Sequence, residues 1–598
     1  MNDAVDPAIR RRAVDAARGA GPFDLLITGG SVVDVGTCEV RPADVGLVGP
    51  LIASVHPAGS RTDALDAFDA TGRFIAPGLI DMHVHFESSM LTPGSYAAAV
   101  CPRGTTTIFG DPHELANVAG LAGVRYAVEA SRGLPVRFIV QAPSCVPPIP
   151  GLELSGHDLH GPEIAEMLAW PEIGGLAEVM DMLGVLTSDG RMVDVVAAGL
   201  ASGKLVSGHA AGLTGPELQA YLTAGITSDH EIMATDDAME KLRAGMTVEL
   251  RGMLEHLLPG LVAELNALPE LPAHLCAATD DLFALTLLTD GGLDHLLRRL
   301  VGYGLDPVRA LRIATYHAAY RLARTDLGLV AAGRQADLII LSDLATVAVD
   351  DVFRAGEHVA SGGEMIVPVV EGPSEPPLDT MKLGPMTPDA FVLRVGHLPG
   401  GVTDGTVRLR VLAGPIFTRW DEVTAEVRDG AVVVPPGHLL QVAVHRHGRI
   451  APTPRAAMIS GWGEQDWTGA IATSVSHDTH NLIVFGRDPV AMAAAANQVI
   501  ADGGGVAVAS GGKVLASIAL PIAGILSPLP APEVAEAQQV VTAAAESVGL
   551  RLSLLTQNLF HVLVASLACL PGPHVTDLGL VDGSTGQLIS SPILTPTA

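Results

Sequence analysis

Cysteine pairs at bridging spacing are missing from this chain. Its five cysteines, Cys38, Cys101, Cys145, Cys276 and Cys569, are odd in number and scattered, which argues against a disulfide framework and makes a reducing cytoplasm the expected compartment. Positive charge is also scarce. Lys and Arg number 36 against 65 Asp and Glu, and a net charge of -29 would repel a phosphate backbone, so no nucleic-acid partner is expected. No uninterrupted apolar run reaches the roughly 18 residues a membrane span needs. The most apolar stretches, such as Val514 to Leu526, are broken by Pro521 and Gly524, so no membrane association is expected either. Arg10-Arg11-Arg12 leads into the charged Ala-Val-Asp-Ala-Ala-Arg and not into the apolar core of a secretory signal. Lysine is absent before Lys204.

The chain of 598 residues, 48% hydrophobic and 17% charged, reads as globular and is too long for one core. Residues 1–22 form an N-terminal helix or arm. From Phe23 short strands punctuated by Gly29-Gly30 and Gly49-Pro50 take over, and similar runs return after residue 330, so 23–74 plus 331–371 are expected as a split β-sandwich domain. Residues 75–330 alternate strand and helix through eight strand candidates: Leu79–His85, Thr105–Asp111, Arg137–Ala142, Gly175–Met180, Lys204–His209, Ile226–His230, Thr247–Arg251 and Leu275–Asp280. That alternation predicts an α/β fold, a (β/α)8 TIM-like barrel with its active site at the C-terminal ends of the strands. A Pro-rich linker around Gly372 to Pro377 then leads to a C-terminal α+β domain, residues 385–598.

His83 and His85 are one residue apart, and on a strand they face the same way, as a metal site requires. Alone they could equally be two polar residues on a half-buried strand. Partners stand at the ends of other strands: Glu178 on the fourth, His209 on the fifth, His230 on the sixth and Asp280 on the eighth. Six metal-competent side chains at one rim are costly to bury without a cation, so they are read together as metal ligands.

With these residues the chain resembles the amidohydrolase superfamily, and within it the bacterial adenine deaminase family. The resemblance rests on PGLIDMHVHFESSM, GDPHELANV, APSCVPP, GGLAEVM, SGHAAGL, AGITSDHE, ATDD, SVSHDTHNLIVFG and LPIAGILS. Hydantoinase-like and dihydroorotase-like members bridge two metals with a carbamylated lysine on strand four, and no lysine is available there, so Glu178 is expected to bridge. The resemblance implies two divalent transition-metal ions, Fe2+ or Mn2+ with Zn2+ as an alternative, a purine base as the small-molecule partner and a homo-oligomer, taken as a dimer. The implied reaction is attack of metal-activated hydroxide at C6 of adenine, with Asp280 as general base, releasing ammonia and leaving hypoxanthine. An acid must also serve the ring nitrogen; Glu87 and Glu231 are the candidates, and an exposed structural carboxylate is an equal reading of each. His113, Arg251 and Asp281 are assigned to substrate binding. In Asp111-Pro112-His113-Glu114, Asp111 reads as a helix cap.

Three phrases differ from the family pattern: Arg251-Gly252-Met253-Leu254-Glu255-His256 after strand seven, an apolar Leu282 to Leu288 after Asp280-Asp281, and Thr315-Tyr316-His317 near the last barrel helix. None involves the expected ligands. Further on, His445-Arg446-His447 and His477/His480 repeat ligand-like spacings, but apart from Asp478 no carboxylate is near in sequence, so no metal is expected there. Two other functions remain open: hydrolysis of a cyclic amide or N-acyl bond at the same metals, and a non-catalytic binding protein on the same fold.

Overall fold

Apolar runs of four to seven residues, each followed by a helix, place parallel strands side by side because each helix carries the chain back to the sheet's starting edge. The computed structural model describes residues 3–252, 255–395, 404–415, 418–463, 467–551 and 558–597. Its barrel strands are β1 (Leu79–His85), β2 (Thr105–Gly110), β3 (Arg137–Ala142), β4 (Ile173–Val179), β5 (Leu205–Gly208), β6 (Ser228–Asp229), β7 (Thr247–Arg251) and β8 (Leu275–Ala278). They pair in the orders β5-β4-β3-β2-β1 and β6-β7-β8, which the segment Asp280–Asp281 joins by pairing with β1.

Two seams complete the ring. At the first, Thr279 binds the buried Asp81 of β1 through its backbone N (3.0 Å) and Oγ1 (2.6 Å). This side-chain bond takes the place of a ladder bond. Strand eight therefore stops at Ala278, short of the expected Asp280, and Asp280 itself turns to φ 60°. At the second seam, Thr227 N donates to Val206 O (3.0 Å). A Cβ at Gly208 would stand 2.5 Å from Ser228 O, so glycine is required where β5 approaches β6. Only Ser228 and Asp229 enter the ladder with β7, a shorter sixth strand than the expected Ile226–His230.

Strands from residues 23–77 and 338–365 share one ten-stranded mixed sheet, in which Leu338–Asp343 runs antiparallel to Phe74–Pro77. The chain thus returns after the barrel to the sheet from which it entered. An N-terminal helix, Pro7–Ala17, is capped by the Asp6 side chain accepting from Ala8 N and packs Ala13 and Ala16 beside Phe23 and Leu26. A second ten-stranded sheet is built from strands between residues 405 and 519 together with Ile593–Thr597.

Three helices matter for the site: α1 (His113–Ala119), α2 (Ala284–Thr289) and α3 (Ala531–Val548). The apolar stretch after Asp281 is α2, and its surface meets α3: Leu285 N donates to Gln538 Oε1 (2.9 Å), and Phe283 and Leu287 share a core with Val534 and Ala535. Each such large apolar side chain contributes about 1.5–3 kcal/mol on burial, which explains the departure in sequence as a docking surface. Met253 and Leu254 of the other altered phrase lie outside the described residues. His317 is buried with Nδ1 3.0 Å from Leu275 O. Among the described residues, no helix is long and apolar enough to cross a membrane.

Candidate metal and active site

Alternation along β1 puts His83 and His85 on one face, with their Nε2 atoms 2.9 Å apart. Asp111 O, 3.0 Å from Nδ1, fixes the His85 ring. Glu178, at the end of β4, turns one oxygen to each pair of histidines. Its Oε1 stands 3.1 Å from His85 Nε2 and 3.7 Å from His83 Nε2, while its Oε2 stands 2.5 Å from His209 Nδ1 and 3.3 Å from His230 Nε2. Asp280 completes the group, with Oδ1 at 3.5 and 3.4 Å from the Nε2 atoms of His83 and His85. All six side chains are buried. Tyr221 ties the ends of β4 and β5, its hydroxyl donating to Val179 O (2.5 Å) and accepting from His209 N (3.0 Å).

Burial alone would force protons onto the two acids. His230 and His209 nevertheless hold Glu178 well below the usual carboxylate range, and Arg251 with His83 and His85 does the same for Asp280. The imidazoles supply neutral nitrogen donors and the carboxylates hard oxygens, with donor atoms mutually within 4.8 Å in overlapping groups. A divalent first-row transition ion suits that donor set, and four imidazoles with two carboxylates fit a divalent metal centre. Among the described residues the ring nitrogens His83 Nδ1 and His230 Nδ1 meet no hydrogen-bond partner, so no bond there turns either ring away from the cluster.

The other sequence-predicted residues gather at the same rim. Arg251 pairs through Nη1 with Asp280 Oδ2 and through Nη2 with Glu231 Oε2, the latter at 2.6 Å. Asp281 accepts from Ser88 Oγ. His113 lies between Asp111 Oδ2 (3.1 Å) and Glu178 Oε1 (3.4 Å). Asp111 is therefore not the helix cap that its sequence context suggests: the residue preceding α1 is Pro112, no side chain caps the helix, and the Asp111 carboxylate binds His113 instead. Glu87 is buried, with Oε1 3.4 Å from Leu115 N and Oε2 without a hydrogen bond among the described residues; burial, with the Glu114 carboxylate adding to it, pushes its pKa up to about 8.

Lys241 organises the sixth strand's rim from behind. Its ammonium, fully buried, stands 2.8 Å from Asp229 Oδ2, 2.9 Å from Asp237 Oδ1 and 3.0 Å from Glu231 O. Asp229 in turn accepts from Ala210 N (2.6 Å) and Glu231 N (3.1 Å), fixing the backbone just after His209 and just after His230. Lys241→Met would leave two buried carboxylates without a cation. We expect it to lower the unfolding free energy by about 3–5 kcal/mol, read as a lower urea midpoint; an unchanged midpoint would show that the triad contributes no net stability.

Residues from the distant C-terminal sheet close over this rim. The loop between Ala470–Thr473 and Leu482–Gly486 brings His477 Nδ1 to 2.5 Å from Glu114 Oε1, and His480 Nε2 against Glu114 Oε2. In the sequence His477, His480 and Asp478 stand out only as a ligand-like spacing at which no metal is expected; neither that spacing nor the phrase SVSHDTHNLIVFG puts them at this rim. The HxH at 445 and 447 stays structural, with His445 Nδ1 2.9 Å from Asp577 Oδ2 and His447 Nε2 2.7 Å from Thr479 O. A groove of about 580 Å³ lined by Thr247, His274, Tyr316 and Tyr320 opens where β7 and β8 begin, the end of the barrel away from these side chains.

The barrel and the donors at the ends of its strands define an amidohydrolase-type, metal-dependent hydrolase. The amidohydrolase family matches residues 74–359, and the adenine deaminase C-terminal domain matches residues 415–587. An adenine deaminase from Klebsiella pneumoniae (strain 342) is 52% identical over 583 residues, 97% of this chain and 95% of that protein. Adenine deaminase 2 from Rhizobium meliloti (strain 1021) is 51% identical over 597 residues, 99% and 98% of the two chains. This chain belongs to the adenine deaminase family. Among solved structures, an N-acetyl-D-glucosamine-6-phosphate deacetylase from Mycobacterium smegmatis aligns with 56% of this chain and 100% of its own, at 20% identity and a TM-score of 0.43.

Proposed function

We propose that this protein deaminates adenine to hypoxanthine and ammonia, using two divalent ions, Fe2+ or Mn2+ with Zn2+ as an alternative, held by His83, His85, Glu178, His209, His230 and Asp280. The observation that carries the reading is Glu178, whose two oxygens face two different histidine pairs, in a chain about half identical to adenine deaminases over nearly its whole length. Bound ions acidify water at the site, so that a nucleophile exists at neutral pH. Asp280, ionised and steadied by Arg251, accepts the proton as oxygen attacks C6 and gives it to the departing amine, so the C6–N bond breaks and ammonia leaves. Glu87, with an oxygen that meets no hydrogen bond among the described residues and a pKa raised by burial, is suited to hand a proton to the ring nitrogen beside C6, where negative charge builds; a cation beside His85 would act in the opposite sense and draw that pKa down. Glu231 is the weaker candidate because Arg251 already occupies its Oε2. His113, Arg251 and Asp281 are left to orient the base.

The test is direct. Protein loaded with Mn2+, Fe2+ or Zn2+ and given adenine is expected to release ammonia in step with the shift of the adenine ultraviolet band to that of hypoxanthine. Absence of turnover with all three metals, together with hydrolysis of a cyclic amide, would overturn the substrate assignment while leaving the metal chemistry in place.

A further inference from the structure

Inside the barrel, one layer below the rim, a buried carboxylate stands beside a metal-ligand candidate with its own hydrogen-bonding capacity unmet. β6 and β7 run parallel with Ser228 opposite Thr247 and Asp229 opposite Val248, and one step further along this register sets His230 beside Glu249. Side chains at equal register on neighbouring strands share a face. Alternation along β7 agrees: Arg251, two residues on from Glu249, reaches Asp280 and Glu231 at the barrel mouth, so Glu249 points into the barrel beneath it. Glu249 is 1% exposed, and neither of its oxygens meets a hydrogen bond among the described residues; His230 Nδ1 is in the same condition.

The other groups around Glu249 do not account for it. Arg321, from the helix Tyr316–Arg321, brings Nε to 4.0 Å from Glu249 Oε1, too far for a hydrogen bond, and gives Nη2 to Thr227 Oγ1 at 2.9 Å. Its charge offsets that of the carboxylate but leaves the oxygens without a donor. On the other side Glu249 pairs in register with Cys276 of β8, which sits in an apolar cluster with Ile80, Met82 and Phe109 and has only a weak thiol donor. Ser228 Oγ, on the His230 face of β6, is likewise without a hydrogen bond among the described residues. Burial raises the Glu249 pKa to about 7 while Arg321 and His230 draw it down, which counts the imidazole among its electrostatic neighbours. A carboxylate kept in such a place is costly unless a donor uses it.

A ligating imidazole nearly always gives its other ring N–H to a carboxylate, a carbonyl or a water. His230 turns Nε2 to the cluster, 3.3 Å from Glu178 Oε2, which leaves Nδ1 to carry that hydrogen and Glu249 as the acceptor at its level. We propose that Glu249 is the outer partner of His230, accepting from Nδ1 directly or through one buried water, and so a positioning residue for the ion held at His209 and His230. The bond fixes which nitrogen faces the metal and the plane of the ring, and the carboxylate behind it makes the imidazole a stronger donor. The inference rests on His230 being a ligand, as proposed above, and does not depend on the substrate.

The test separates support of a ligand from packing. Full-length protein loaded with Mn2+ is dialysed against a graded series of a weak chelator, and bound metal is counted by plasma mass spectrometry. Wild type is expected to start with two equivalents per chain, and Glu249→Leu to release one of them with about 10–100-fold lower affinity. Glu249→Gln, which keeps an acceptor oxygen, is expected to fall between, and kcat of both variants at saturating Mn2+ to stay within a few-fold of wild type. If Glu249 served packing alone, the urea midpoint of Glu249→Leu would fall equally in metal-free and loaded protein while metal release matched wild type; that result would overturn this inference alone. Wild type without bound metal would overturn the reading of His230 as a ligand and this inference with it. Should Glu249→Leu fail to fold by circular dichroism, a high-resolution crystal structure of the Mn2+-loaded wild type decides: a Glu249 oxygen within about 3.2 Å of His230 Nδ1, or one ordered water within that distance of both, supports the pair, and any other arrangement at Nδ1 sinks it.

Discussion

Changing Glu178 to Gln is expected to lower metal affinity at the barrel cluster by at least about 100-fold, since outer-shell changes alone cost about 10–100-fold, and to remove turnover with it. Glu178 is the one side chain there whose two oxygens face different histidine pairs, His83 and His85 on one side, His209 and His230 on the other. Glutamine keeps the shape but supplies one carbonyl oxygen in place of two anionic ones, so it can satisfy one pair and leaves the four imidazoles short of a negative charge. In the protein without metal, burial opposes ionisation of Glu178 and the histidines overcome it; bound cations add to that attraction. Metal content after dialysis against a weak chelator, compared with wild type, checks the result. Full metal content with full activity would show that Glu178 does not bridge.

How much of this could be read from the chain depends on the range over which each constraint acts. The HxH of β1 follows from the two-residue period of a strand, and the expected and observed bounds of β1, β3 and β7 agree because their apolar runs are bracketed by polar residues or glycine. The short β6 and the early end of β8 were not legible, because Thr227 and Thr279 give their backbone hydrogens to partners across the seams and no local pattern records that choice. Asp111 illustrates a local rule overruled: Asp-Pro before an acidic first turn is good capping chemistry, yet the carboxylate is drawn to His113, where the cluster needs it. The apolar run after Asp281 read as an oddity until its partner, α3, was in view some 250 residues later in the chain. Likewise His477 and His480 have no carboxylate nearby in sequence apart from Asp478, and Glu114 reaches His480 across a separation of 366 residues. Spacing rules see one element at a time, whereas these contacts exist only after two units dock.

Asp280→Asn is expected to act differently from Glu178→Gln, keeping most of the metal and losing turnover by about 10²–10⁴-fold, the range that a general acid–base group supplies. Five of the six expected ligands are untouched, and an amide oxygen can still face His83 and His85 where Oδ1 now does. What the amide lacks is a lone pair basic enough to take a proton from water and return it to the leaving nitrogen. Arg251 keeps a partner in Glu231, at 2.6 Å, so the rim need not rearrange when its contact with Asp280 weakens. The expected signature is a fall in kcat with little change in KM, because the interaction removed is made only as the reaction proceeds. Metal lost in parallel with activity would make Asp280 a ligand and nothing more. Retention of a tenth or more of wild-type kcat with metal in place would move the base elsewhere at the rim, with Asp281, beside it and joined to Ser88, the first residue to test.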